Sequence, residues 1–178
     1  NTIYLSDSKN APYGEKSKDE ILELCIKNTE LLLNKNAKII VVACNTATTN
    51  AIKYLREKYN VSFIGIEPAI KPAALKTKSN TIGILATKGT LNSDLFEKTS
   101  SKINENIIVI EQIGEGLVEL IENGELNSLK MKSLLSSYLQ PMLDKNIDCL
   151  VLGCTHYPYL ISNIKEIIGN QITIIDSG

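Results

Sequence analysis

The chain has 178 residues, 43% of them hydrophobic and 22% charged, and a formal net charge of −1. That composition is globular, and the length suffices to bury a core in one domain or two small ones. It excludes the basic surface that a nucleic acid or an anionic membrane selects, and its longest apolar runs, such as KIIVVACNTA, are too short to span a bilayer.

In chain order, residues 2–6 read as a strand. A helix follows over 17–35, opened by Ser17 with Glu20 three positions on, the reciprocal pairing of a capping box. Its apolar residues Ile21, Leu24, Cys25, Leu31 and Leu32 recur at helical spacing. Residues 37–43 form a continuous, β-branched run, as a parallel strand buried on both faces requires. A helix over 46–59 and a strand over 62–66 come next, and Pro68 ends that strand's hydrogen bonding. The second half repeats the scheme: a strand over 81–86, a helix over 91–103, a strand over 106–112, helices over 115–123 and 127–145, and a strand over 148–153. A helix over 158–168 and a strand over 171–176 complete it. Alternating strands and helices predict an α/β fold with mostly parallel sheets.

The four cysteines, Cys25, Cys44, Cys149 and Cys154, contain no Cys-x-x-Cys pair, and with His156 as the sole histidine they form no zinc set. No metal is expected. With no secretory signal in view, the thiols read as reduced, in the cytoplasm. Cys25 on an apolar helical face and Cys149 in a strand read as small buried hydrophobes. Cys44 and Cys154 are different. IIVVACNTA and CLVLGCTHY share one layout: apolar strand, small residue, cysteine, then polar residues entering a helix. Ligands of open α/β sheets bind at the C-terminal strand ends, so a cleft between two α/β halves can present these cysteines from opposite sides.

A helix N-terminus offers unpaired N–H groups and partial positive charge, which are expected to lower a thiol's pKa from about 8.5. A thiolate can then take a proton near neutral pH. Inverting an α-carbon needs a base on one face and an acid on the other, with the roles exchanged in the reverse direction. Two equal groups suit a reaction whose substrate and product are mirror images. Asn45, Thr46 and Thr155 supply amide and hydroxyl groups for a carboxylate and an ammonium, and the turn Pro12-Tyr13-Gly14 can add backbone donors. His156 can stabilise a thiolate or relay a proton. Glu122 is a candidate partner for it or a surface acid at a helix end. Asp7 either caps a turn or contacts substrate. The charged runs GEKSKDE and LREKY read as solvated helix faces.

SDSKNAPYG, VVACNTATTNAI, GLVELIENG and LGCTHYPYL, in this order, resemble the glutamate racemases of the aspartate/glutamate racemase superfamily over nearly the whole chain. The Thr155-His156-Tyr157-Pro158 tail favours the glutamate branch. The resemblance implies two similar α/β domains with mostly parallel sheets, related by a pseudo-twofold, and an active site in the cleft between them. It divides the chain into 1–67, part of the first domain; 68–170, the second; and 171–178, a strand returning to the first. It implies cofactor-independent conversion of L-glutamate to D-glutamate for peptidoglycan, with Cys44 and Cys154 as the two bases. His156 then assists Cys154, Glu122 is the second-domain acid, and Pro12, Tyr13, Gly14, Asn45, Thr46 and Thr155 bind substrate, with Asp7 retained beside them. The family's first strand ends in an Asp-Ser-Gly turn expected upstream of Asn1, and a further helix is expected beyond Gly178. Its Gly-Asp-Thr-Ala-Arg reads Ser6-Asp7-Ser8-Lys9-Asn10 here. An aspartate racemase and a catalytically inactive amino-acid-binding fragment are the alternatives. A thiol-redox role fits less well, because the two cysteines should stand a substrate's width apart. The expected partner is a small-molecule substrate, not nucleic acid or membrane, and a homodimer is left open.

Overall fold

The structure is a computed structural model and describes residues 1–103 and 105–177. Asn104, in the expected second domain, and Gly178, in the expected returning strand, lie outside the described residues. Two parallel sheets organise the chain. In the first, β1 (Ile39–Val42) pairs with β2 (Ser62–Gly65). In the second, β3 (Thr81–Ala86), β4 (Ile108–Ile113), β5 (Cys149–Gly153) and β6 (Thr173–Ile175) lie in the order β4-β3-β5-β6.

The second sheet is covered on both faces, and its residues alternate accordingly. Ile82 and Ile84 of β3 and Val151 of β5 join Ile70, Ala73 and Phe96 on one side. Leu85 of β3 with Leu150 and Leu152 of β5 join Leu117, Met131, Leu135, Leu139 and Ile164 on the other. Those partners lie on α3 (Ile70–Lys76), α5 (Asp94–Ser100), α6 (Leu117–Glu122), α7 (Leu129–Leu143) and α8 (Ile161–Ile168). In the first sheet Ile40 and Phe63 face α1 (Lys18–Asn34) and α2 (Asn45–Lys58). The other face carries Ile39, Val41 and Ile64, each more than half exposed. The expectation that β1 is buried on both faces is therefore corrected: one layer of helices covers this sheet among the described residues.

Other boundaries shift for local reasons. Residues 2–6 are not a strand: among the described residues no strand pairs with them, and Ile3 and Tyr4 are exposed. The helix expected over 91–103 is two pieces, α4 (Lys88–Leu91) and α5, because Ser93 accepts the Phe96 N–H and starts a new helix. Tyr157–Leu160 is a 3-10 turn before α8. The capping box of Ser17 and Glu20 forms as expected. The strand expected to return to the first half instead pairs with β5, Cys149 opposite Thr173, because its alternating isoleucines pack against the second sheet's cores. Its successor Ser177 then reaches both halves, donating to Leu152 O at 3.3 Å and accepting from Asn45 Nδ2 at 3.2 Å.

Candidate active site

The first cysteine loop follows β1. Cys44 is the N-cap of α2, and its sulfur accepts the Ala47 N–H at 3.5 Å. Asn45 and Thr46 open the helix and are buried. The second loop follows β5. Gly153 is needed there because a Cβ would stand 2.7 Å from Ala86 Cβ on β3. Cys154, Thr155 and His156 then turn into the 3-10 segment, so this cysteine does not cap an α-helix as its counterpart does.

The halves meet around these loops. Gly14 and Gly89 touch directly, the Gly89 N–H donating to Gly14 O at 2.9 Å. A Cβ on Gly14 would meet Thr87 at 2.8 Å, so that contact requires glycine. Asn50 on α2 donates to Gly89 O at 2.7 Å, and Lys18 pairs with Asp94 at 2.8 Å across the surface. Beneath them three buried hydroxyls form a triangle: Thr46 to Thr87 at 2.8 Å, Thr46 to Thr90 at 3.2 Å, and Thr87 donating to Thr90 at 3.0 Å. Thr87 already accepts the Thr90 N–H. The Thr87 proton goes to Thr90, so Thr46 must donate to Thr87 and Thr90 to Thr46, and the closed ring leaves the Thr46 oxygen a lone pair, not a proton, for the cleft.

The cleft is an open space of about 430 Å³ lined by Ala11, Pro12, Tyr13, Gly14, Cys44, Asn45, Thr46, Thr87, Val118, Cys154, Thr155 and His156. Nine of the sequence-derived candidates thus share one wall system. Two do not reach it. Glu122 stands behind His156, its Oε1 2.6 Å from Nε2, while His156 Nδ1 lies 3.9 Å from Cys154 Sγ. Asp7 stands behind Tyr13 and accepts its hydroxyl, so it buttresses the turn rather than facing the cleft. Ala11, Thr87 and Val118 were missed: Ala11 and Val118 lie in the segments SDSKNAPYG and GLVELIENG but carry no polar group to mark them, and only the fold brings Thr87 to the cleft.

Electrostatics depart from the helix-end expectation. Burial pushes the Cys44 thiol up, against the N–H groups of Ala47 and Thr46, which favour the thiolate. Burial pushes Cys154 up to about 12, against N–H groups of His156 and Tyr157, and the neighbouring Cys44 adds to the rise. Desolvation outweighs the backbone donors at both sulfurs and favours the neutral thiol over the thiolate. One further polar atom is unspent. Asn45 donates from Nδ2 to Ile66 O at 3.3 Å and to Ser177, which fixes the amide's orientation. Its Oδ1 is buried without a partner. Such an orphan acceptor costs about 1–3 kcal/mol until a donor arrives.

All four cysteines are free. Among the described residues, no group of three or more His, Cys, Asp or Glu converges as a metal site would, and no helix is long and apolar enough to cross a membrane. A larger open groove between α5 and β4 is lined by Phe96, Glu97, Val109 and Glu111 among others. Its lining contains no thiol or imidazole.

Two thiols at the strand ends of two α/β halves thus line one cleft. The sequence model of the Asp/Glu/hydantoin racemase family matches residues 2–178, and the chain belongs to that family. It is 48% identical over 176 residues to a glutamate racemase of Ralstonia pickettii, covering 99% of this chain and 62% of that protein. The Escherichia coli glutamate racemase, solved with L-glutamate and the activator UDP-MurNAc-ala, superposes with a TM-score of 0.84 at 32% identity. That match covers 97% of this chain and 66% of the other. The Francisella tularensis enzyme, solved with D-glutamate, gives 0.81 at 31% identity, over 96% and 64%. The chain thus spans a little under two thirds of these relatives' length.

Proposed function

We propose that the chain racemises glutamate, interconverting the L and D forms by a two-thiol mechanism without a cofactor. The observation that carries this reading is the presence of Cys44 and Cys154 in one cleft, delivered by different sheets. The relatives solved with L- and with D-glutamate support that substrate.

The chain's own groups suggest how the reaction runs. An amino acid enters with its ammonium toward Asn45 Oδ1, the buried acceptor that lacks a donor. Its carboxylates meet the Thr155 hydroxyl and the N–H groups of Tyr13 and Gly14, and the Thr46 oxygen is left to accept from the ammonium. The ammonium brings positive charge next to the two thiols, which favours ionising one of them. That thiolate takes the α-proton: its S–H bond forms as the Cα–H bond breaks, and the electron pair moves onto the α-carboxylate. The opposite thiol delivers its proton to the other face of Cα and becomes the thiolate. One proton has left and one has arrived, and the site is reset for the reverse direction. His156, held by Glu122, stabilises charge at Cys154 as it ionises. The D-glutamate formed would serve peptidoglycan synthesis in the cytoplasm.

Incubation with L- or D-glutamate in deuterium oxide tests the reading. The expected result is α-deuteration of both enantiomers together with loss of optical activity. No exchange with either enantiomer sinks it. Exchange with aspartate alone would reassign the substrate, and calorimetric binding of glutamate without exchange would make the chain a binding module.

A further inference from the structure

Behind the Pro12-Tyr13-Gly14 turn lies a closed polar cluster that proton transfer does not use. Tyr13 donates its hydroxyl to Asp7 Oδ2. Asn10 donates to Asp7 Oδ1 at 2.6 Å. Asn28, on α1, reaches both members of the pair: its Nδ2 donates to Asp7 Oδ2 at 3.1 Å and to Tyr13 Oη at 3.2 Å. An amide nitrogen carries two hydrogens, so one Asn28 group serves both oxygens. We propose that Asn28 is a positioning residue for the substrate-binding turn, tying Tyr13, and through it the backbone of Gly14, to a packed helix before substrate arrives. The proposal rests on the glutamate reading of the cleft.

The geometry gives Asn28 a task no neighbour shares. Asp7 precedes, and Asn10 ends, a three-residue 3-10 turn, Ser8–Asn10, with no buried residue. The Asp7–Tyr13 bond therefore joins one loop to another and by itself anchors neither. Among the described residues, the side-chain hydrogen bonds of this pair reach a long helix only through Asn28. Helix α1 is a firm mount: Ile21, Cys25 and Thr29 bury its inner side, and Asn28 follows Cys25 at the i, i+3 spacing that keeps both on one side. On its opposite flank the turn is held by Gly14 against Gly89 and Thr87. Asn28 thus closes the second side of a clamp around a turn that must present its N–H groups in a fixed direction. Asn28 itself is absent from the cleft lining, so it acts through Tyr13.

Contacts to substrate carboxylates form in the ground state and persist in the transition state, so loosening the turn raises KM and leaves kcat nearly unchanged. Two variants of the purified protein test this. Asn28→Leu keeps similar bulk without donors, and Asn28→Asp keeps the shape but puts an acceptor beside Asp7. Hydrogen–deuterium exchange of residues 7–14 is read without ligand, and KM and kcat are read with each glutamate enantiomer. Both variants should raise KM about five- to tenfold, the scale of one net hydrogen bond because Asn28 acts through Tyr13, with kcat within about twofold. Exchange over 7–14 should quicken while the buried side of α1 keeps its protection. A merely structural role would instead lower kcat through the unfolded fraction and leave KM alone. Parental KM and parental exchange over 7–14 in both variants overturn the proposal. If Asn28→Leu fails to fold, Asn28→Asp carries the test. If the parent racemises nothing, the ligand-free exchange still decides the role of Asn28, and the functional reading is what falls.

Discussion

Strand β5, which delivers Cys154, is buried along all five residues between β3 and β6. Among the described residues, strand β1, which delivers Cys44, pairs only with β2 and leaves Ile39 and Val41 exposed. The helpers differ as well. Cys44 caps a 14-residue α-helix and takes its support from backbone N–H groups. Cys154 precedes a short 3-10 turn and has a side-chain relay, His156 to Glu122, instead. Two thiols to which the proposed racemisation gives equal chemistry are thus mounted and tuned by different means. The difference teaches that mirror-image reactivity constrains what each group does, not how its surroundings achieve it.

The largest expected effect tests the equality. Cys44→Ser and Cys154→Ser should each reduce racemisation about a thousandfold, the scale of a lost acid–base partner. A serine hydroxyl is a far weaker acid than a thiol, so one face of Cα loses its proton donor or acceptor in either variant. Circular dichroism of glutamate follows both directions. A variant that kept near-parental turnover would leave a single essential cysteine and end the two-base reading.

Glu122→Gln tests the asymmetry. The glutamine keeps the shape but not the charge that braces His156, so kcat should fall about tenfold, as for loss of one charge-assisted hydrogen bond. The equilibrium constant between mirror images is unity, so kcat/KM must stay equal for the two enantiomers, whatever the mutation. Any imbalance has to appear as a split between kcat and KM, and it should be larger for the enantiomer whose proton goes to Cys154. Parental kcat for both enantiomers would mean that the relay is only a surface pair.

The parts of this asymmetry that could be read from the amino-acid sequence were those carried by short-range patterns. Ser17 and Glu20 fix a helix start through contacts three residues apart. Cys44 and Cys154 announce themselves by following apolar strands. What was misread depended on distant neighbours. Residues 2–6 have strand composition and, among the described residues, no partner strand. Ile39 and Val41 look like buried strand residues, and only the sheet's makeup leaves them exposed. The thiol acidities were misjudged because a helix end is visible in sequence and desolvation is not. Asn28 left one trace: a polar residue near the apolar stripe of Ile21 and Cys25 invites the question of what it bonds. Thr87 left none, since its role arises where α4 meets Gly14 and Thr46.

The smallest effect concerns the far end of the firmer strand. Asp148, just before β5, accepts the Thr77 hydroxyl at 2.6 Å and the N–H groups of Lys78 and Ser79, pinning the α3–β3 turn to the root of the Cys154 strand. Partial burial raises its pKa, but these donors outweigh burial and bring the carboxyl down to about 2, against roughly 3.9 in an unfolded chain. Its stabilisation is therefore complete above the unfolded value and is lost as pH falls through the folded one. Asp148→Asn should cost about 1 kcal/mol at neutral pH, discounted because the carboxyl is largely solvated and asparagine can still accept one bond. Urea midpoints of parent and variant should differ by a constant amount from about pH 5 to 8 and converge between about pH 4 and 2. Because this carboxyl sits at the opposite end of β5 from Cys154, kcat and KM should not move. A midpoint gap that persists unchanged at pH 2 would show that shape, and not charge, holds the strand's root. A change in kcat would show that the mounting of β5 is felt at the thiol, and the contrast with the lightly held β1 would then extend from stability to chemistry.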